Sequence, residues 1–329
     1  MATFSSLANG FDAATHTISA DVTGAAASAM RFLGQDPLTV PTGGYNSIYA
    51  FGDSLSDTGN VAIGTARMLP VSPPYFEGHF TNGNVWVEDL AADLGVQPPK
   101  ASLAGGTDYA YGGAETGATP LHANNPTDLN SQVGQFVASG QSPAPNSLFT
   151  MWIGSNDVLD VVGNKTLTPE QQSADIQAAV NNEVGALTTL SQHGARNFMV
   201  LNVPDLGKTP YEMARGPAEA GRASSLSAQY NADLSQSIQT LVAQSGVKVD
   251  LVDTYGMLDG LIANPARYGF TNATQPIWTG NLTDSQNGTL VPAAAQNGYV
   301  FFDGLHPSAA AHAALASTIV HGVTPPPVA

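Results

Sequence analysis

The sequence predicts an α/β protein: a three-layer α/β/α sandwich around a central, mostly parallel sheet of five strands. Three observations carry that reading. Five short runs are close to continuously apolar, as strands covered on both faces are. Stretches with apolar residues at helical spacing lie between them, and such alternation builds parallel sheets. The first run stops abruptly at Gly-Asp-Ser, as a buried strand does when it ends in a sharp turn.

Taken in order, residues 1–44 are rich in Ala, Ser, Thr and Gly and read as an N-terminal extension, with one short helix expected over 25–33. Pro37, Pro41 and the Gly43-Gly44 pair close it with loop signals. The first strand is expected over 47–54 (SIYAFGDS). The others are expected over 108–111 (DYAY), 148–153 (LFTMWI), 197–203 (NFMVLNV) and 247–254 (VKVDLVDT). Helices are expected over 85–94, from Pro169 to about 193, over 212–243 and over 307–320. Pro169 suits a first helical turn, where its missing N–H is not needed. The segment 255–300 reads as long and irregular, and such loops inside a domain are usually functional. Part of it, carrying Met257, Leu258, Tyr268, Phe270, Ile277 and Trp278, is expected to wall a pocket; the competing reading is a small satellite core. One folded domain over 45–323 results, with a stiff Pro-rich tail over 324–329.

Composition narrows the function. Hydrophobic residues make up 43% of the 329, enough for a full core, and only 11% are charged. Acidic residues outnumber basic ones by 26 to 10, a formal charge of −16. Such a surface repels phosphate backbones and anionic lipid, so no nucleic-acid partner is expected. The absence of cysteine excludes disulfides, thiolate nucleophiles and cysteine zinc sites. No run of 18 apolar residues occurs, so no integral membrane segment is expected. The start, MATFSSLANGFDAATHT, lacks a basic region followed by an apolar one. Low charge, missing cysteine and Asn/Ser/Thr/Gly-rich loops lean towards a secreted or extracellular protein. Four sequons, at Asn164, Asn272, Asn281 and Asn287, matter only in a host that glycosylates exported proteins.

The candidate chemistry starts at Ser54. A serine hydroxyl is a weak nucleophile until a base takes its proton. The carboxyl end of a strand in an open α/β sheet is where such folds bind ligands. FGDSLSDTGN (51–60) puts Ser54 there, although a serine capping the next helix fits the same residues. FFDGLHPS (301–308) holds Asp303 and His306 three positions apart on a turn. Asp303, or a nearby backbone carbonyl, can orient the imidazole, and His306 can take the Ser54 proton. Read singly, this pair also fits a helix cap beside a surface histidine. An acyl-transfer site further needs donors for an oxyanion. Gly112-Gly113 lets a backbone N–H approach a ligand closely, and Asn156 offers a side-chain amide.

Together these segments resemble the GDSL/SGNH hydrolases, in their plant and bacterial lipase-like branch. FGDSLSDTGN resembles the first signature block, and FTNGNVWVEDLA (80–91) and DYAYGGA (108–114) the next stretches. IGSND (153–157) resembles the GxND block and DGLHPS (303–308) the terminal DxxH block. Order and spacing agree across residues 47–321. The resemblance implies the SGNH, flavodoxin-like fold and a serine esterase or lipase acting on a small-molecule, lipid or carbohydrate ester. It implies Ser54 as nucleophile, His306 as general base and then acid, and Asp303 as its support. It implies an oxyanion hole of the Ser54 N–H, the Gly113 N–H (Gly112 being the other register) and the Asn156 side chain. It calls for no metal or organic cofactor.

One departure stands out: the branch usually has Asn where this chain has Asp108. Asp53, Asp57 and Asn60 match the first block and read as fixing the turn around Ser54. Within the same chemistry an acyltransferase remains open; in another class, so does an inactive surface or binding protein on the same fold. His16, His79, His122, His193, His312 and His321 show no metal-like spacing, with His193 and His312 expected on helices. Trp152 reads as core before substrate contact.

Overall fold

The computed structural model describes residues 38, 40, 41 and 44–322. The helix expected over 25–33 and the tail over 324–329 lie outside the described residues. Strands β1 (Ser47–Gly52), β2 (Ser147–Trp152), β3 (Asn197–Leu201) and β4 (Lys248–Val252) form a parallel sheet in that order.

The fifth expected strand, 108–111, corrects the prediction. It runs parallel beside β1, with the N–H groups of Tyr109 and Tyr111 donating to Ala50 O and Gly52 O at 2.7 and 3.1 Å. With β1 it forms a single bridge, Ala50–Asp108, and Asp108 bridges to Ala101 on its other side. The run is too short to ladder further, because Gly113 turns the chain with φ 77°. Asp108 Oδ1 also takes the Ala110 N–H at 2.9 Å, giving that amide a side-chain partner in place of another strand.

Helices α1 (Asn60–Gly64), α2 (Trp86–Asp93), α3 (Leu129–Ala138), α4 (Ser155–Gly163) and α5 (Pro169–Gln192) come first. Then come α6 (Pro210–Ala214), α7 (Pro217–Ser245), α8 (Thr254–Ala263), α9 (Ala293–Gln296) and α10 (Ala309–His321). The helix expected over 212–243 is thus broken. Pro217 has no N–H to donate and Gly216 sits at φ 103°, so no helix runs through them. The last helix starts later than expected. Ser308 caps it, its Oγ accepting the Ala311 N–H at 3.2 Å, and Pro307 precedes the cap. The segment 255–300 is not irregular throughout. It carries most of α8, the whole of α9 and β5 (Asn272–Pro276), which pairs in parallel with β6 (Tyr299–Phe301).

Strand alternation sorts the core into two faces. Tyr49, Phe51, Phe149, Met151, Phe198 and Val200 face α3, α4, α5 and α7. Ile48, Leu148, Trp152, Met199 and Leu201 face α2 and α10. Tyr49 stacks on Phe149 at 4.9 Å, with Phe136 edge-on to both. Each such ring contributes about 1.5–3 kcal/mol by burial.

Connectivity explains the sorting. From β1 the chain moves outward to 108–111 through α2, then back across β1 to β2 and onward. Right-handed crossovers in opposite directions put their helices on opposite faces. The direction reverses between β1 and β2, and ligands bind beyond the carboxyl ends of strands at such a switch point. Ser54 follows β1 and Asn156 follows β2.

Candidate active site

The turn after β1 is built by its own carboxylates. Asp53 Oδ1 accepts the Leu55 N–H at 2.9 Å, and the Asp53 carbonyl accepts from Ser56 and Asp57 N–H. Asp57 accepts the N–H groups of Gly59, Asn60 and Val61, and reaches across to the Gly112 N–H at 2.9 Å. Asn60 Nδ2 donates to the carbonyls of Asp108 and Ala110. Asp53 therefore shapes the Ser54 turn, and Asp57 and Asn60 fasten it to the 108–113 segment. Asp108 joins them by accepting both the N–H and the hydroxyl of Thr58 at 2.7 Å. Burial, with the Asp57 charge beside it, holds Asp108 well above the usual carboxylate range.

Gly52 makes the close approach. Gln132 clamps its peptide at both N–H (2.9 Å) and carbonyl (2.8 Å). A Cβ there would sit 2.2 Å from the Trp152 carbonyl oxygen, at φ 149°. Gly52→Ala is accordingly expected to cost at least about 2 kcal/mol of stability. Urea unfolding of the two proteins checks it, and a loss under about 0.5 kcal/mol would contradict the packing described.

The far segment is another side-chain-organised turn. Asp303 Oδ1 accepts the N–H groups of Leu305 and His306 at 2.9 and 2.8 Å. The Phe302 N–H donates to the His306 carbonyl, closing the loop. His306 Nδ1 lies 2.7 Å from Asp303 Oδ2, and His306 Nε2 lies 2.9 Å from Ser54 Oγ. The serine, the histidine and the aspartate found in the sequence thus meet, Ser54 and His306 lying 252 positions apart. Phe80 covers the imidazole, with ring centroids 5.4 Å apart.

Burial alone would lower the His306 pKa. The Asp303 carboxylate, by charge and hydrogen bond, and the Asp53 charge outweigh it, so the imidazole holds its proton above the ordinary histidine value. Burial alone would raise Asp303. His306 and the Tyr75 hydroxyl outweigh it and keep the carboxyl below its ordinary value.

Asn156 Nδ2 donates to the Ala114 carbonyl at 2.8 Å, leaving one amide hydrogen of two for a ligand. The Gly112 N–H is committed to Asp57, whereas the N–H groups of Gly113 and Ser54 have no partner among the described residues. That favours the Gly113 register. Gly112 is needed for another reason: a Cβ there would lie 2.1 Å from the Phe80 ring.

A pocket of about 850 Å³, open mouth included, adjoins Ser54 and His306. Met257, Leu258, Leu261 and Val300 from the 255–300 segment line it. Trp278 and Ile277 do not; they pack with Tyr75 and Phe302 in a satellite core. Both expectations for that segment therefore hold, for different residues. Trp152 is buried against Trp86 at 5.8 Å and also lines the pocket.

Sequence reading missed Tyr75, whose hydroxyl donates to Asp303 Oδ2 at 2.7 Å. Nothing in its neighbourhood marks a partner 228 positions away. It also missed the convergence of Glu115, His122 and Asp160, whose candidate ligand atoms lie within 4.8 Å of one another. There, His122 lies between Glu115 Oε1 and Asp128 Oδ2, at 3.1 and 2.8 Å. His79 is held by Glu88, His193 caps α5, and buried His312 is pushed down to about 3. His16 lies outside the described residues.

The GDSL-like lipase/acylhydrolase family model matches residues 48–319. A phosphatidylcholine-sterol acyltransferase of Aeromonas hydrophila is 29% identical, covering 82% of this chain and 88% of its own. An acetylesterase of Thermothelomyces thermophilus is 32% identical over 69% of this chain and 76% of its own. A solved acetylxylan esterase from Geobacillus stearothermophilus is 15% identical with a TM-score of 0.44, covering 84% of this chain and 93% of that one. With the match running from the second residue of β1 to the last turn of α10, this chain belongs to the GDSL-like lipase/acylhydrolase family.

Proposed function

We propose that this protein is a carboxylic ester hydrolase working through an acyl-enzyme on Ser54. The observation that carries the reading is the unbroken hydrogen-bond chain from Ser54 Oγ through His306 to Asp303. Ser54 attacks the ester carbonyl as His306 Nε2 takes its proton. The N–H groups of Ser54 and Gly113 and the Asn156 amide receive the oxyanion. His306 returns the proton to the departing alcohol, then activates the water that releases the acid. The apolar pocket takes the hydrocarbon part of the acyl group.

Release of alcohol and acid in equal amounts from acyl esters between acetyl and decanoyl tests this. Absence of turnover on every one of them overturns it. The resemblance to an acyltransferase supports a second acceptor besides water, and acylated glycerol among the products would establish it.

His306 must be neutral to accept a proton. Because its pKa is raised, the active fraction falls as pH drops through a value above about 6.5, the ordinary imidazole pKa. The acid limb of kcat/KM is expected there, with activity rising towards alkaline pH. A limb centred below about 6 would contradict the assignment.

A further inference from the structure

A glutamate near the oxyanion donors faces other proton acceptors and no lysine or arginine. Glu115 stands two residues after Gly113 and is 7% exposed. Its Oε1 lies 3.1 Å from His122 Nδ1, and its carboxyl is within hydrogen-bond reach of that of Asp160. Each of these side chains brings one candidate ligand atom to a point where all lie within 4.8 Å of one another. The tautomer of His122 is set from behind. Buried Asp128 accepts the ring Nε2–H at 2.8 Å, which leaves Nδ1 of the neutral imidazole with its lone pair on the Glu115 side. A carboxylate behind the ring is the arrangement of metal-ligating histidines. Asp128 Oδ1 also accepts the Glu115 N–H, and Thr119 Oγ1 accepts the His122 N–H, so both backbones are fixed. Among the described residues the ion pairs of lysine and arginine fall elsewhere, on Glu212 and Glu219. Acceptors turned on one another in this way repel unless a cation lies between them.

We propose that Glu115, His122 and Asp160 hold a divalent transition-metal ion of the Zn²⁺ class, outside the catalytic pocket. None of the three lines that pocket. An imidazole nitrogen among carboxylates suits zinc and its neighbours better than calcium or magnesium, which take oxygen ligands. Ligands about 2.0–2.2 Å from a tetrahedral zinc stand about 3.4 Å from each other. His122 Nδ1 and Glu115 Oε1 are already 3.1 Å apart. Asp160 is exposed on α4, so the ion enters from solvent and water completes its coordination. The site spans the two sides of the oxyanion hole. Glu115 follows Gly113 closely, and Asp160 follows Asn156 by one helical turn. An ion between them ties the Gly113 segment to α4, alongside the Asn156–Ala114 hydrogen bond. Resting on the esterase reading, the ion is thus a brace for the oxyanion donors and takes no part in the chemistry.

Isothermal titration of the chelator-treated full chain with zinc chloride tests the site. Wild type is expected to take up one Zn²⁺ per chain. His122→Ala and Asp160→Asn are each expected to weaken uptake at least about tenfold, since even the outer partners of metal ligands are worth about ten- to hundredfold. Because Asp160 is exposed, its replacement probes the site without disturbing the core. With free Zn²⁺ at about a hundred times Kd, the thermal midpoint of wild type should rise by roughly 5 °C, and that of either variant by much less. No saturable uptake overturns the site and means that Glu115 and Asp160 share a proton instead. Uptake that either variant leaves intact also overturns it, placing the ion on other residues. Ca²⁺ or Mg²⁺ bound as tightly as Zn²⁺ overturns the assignment to a transition metal. The titration reads the metal alone, so its failure leaves the esterase reading standing. Absence of turnover on every ester leaves the metal site standing and removes its role as a brace.

Discussion

Ser54→Ala is expected to lower kcat/KM on acyl esters by roughly 10⁴-fold or more. That is about 5.4 kcal/mol of transition-state stabilisation. The size follows from the lack of a substitute. The Ser56 hydroxyl accepts the Trp86 indole N–H at 3.1 Å and is committed to the core. Among the described residues, His306 Nε2 meets no hydroxyl but that of Ser54. The oxyanion donors survive the change and sustain the residual rate. Because the lost hydroxyl holds no structural element, the thermal midpoint is expected to move little. A serine-reactive phosphonate should label wild type and leave the variant unlabelled. A variant within tenfold of wild type, or a wild type that resists the probe, would remove Ser54 from the reaction. The second outcome is also what an inactive binding protein on this fold would give.

Asp303→Asn is expected to lower kcat by about 10²–10⁴-fold with KM little changed. The reason is proton placement. Asp303 Oδ1 accepts two backbone N–H groups, so an asparagine there keeps its carbonyl on that side. Its amide nitrogen then faces His306 Nδ1 and donates to it. The ring proton moves to Nε2, the atom that must accept from Ser54. The acid limb of the pH profile shifts down as well, because the charge that raises His306 has gone. A fully active variant with an unmoved limb would assign the orientation of His306 to some other group.

Most of this site was legible because it is built from short local motifs. Asp53, Asp57 and Asp303 each organise a turn through bonds to N–H groups two to four positions ahead, and such patterns survive in a linear reading. Ser54 and Asn156 follow strands whose apolar runs are plain in the sequence, and His306 sits in a local Asp303 turn. What stayed hidden depends on distant contacts. Tyr75 reaches Asp303 from a proline-rich loop, and Glu115, His122 and Asp160 converge only when the chain is folded. Fold errors had local causes. The 108–111 segment has strand composition but glycines behind it, and the 212–243 pattern kept its helical period across Gly216-Pro217. Helices α3 and α4 also went unnoticed.

The order in which the strands lie has a consequence for how the protein is born. A growing chain can cover the first face of the sheet early, since α3, α4, α5 and α7 all precede or adjoin the strands they protect. The second face waits. Its cover is α2 and α10, and α10 is the last helix described. His306 stands three residues before that helix, so the base reaches Ser54 only with the segment that seals the sheet. A nascent or shortened polypeptide lacking it would expose an aggregation-prone apolar face and be chemically silent. Ester cleavage therefore reports completed folding of this domain, and the nucleophile stays unarmed until the segment carrying His306 has been made.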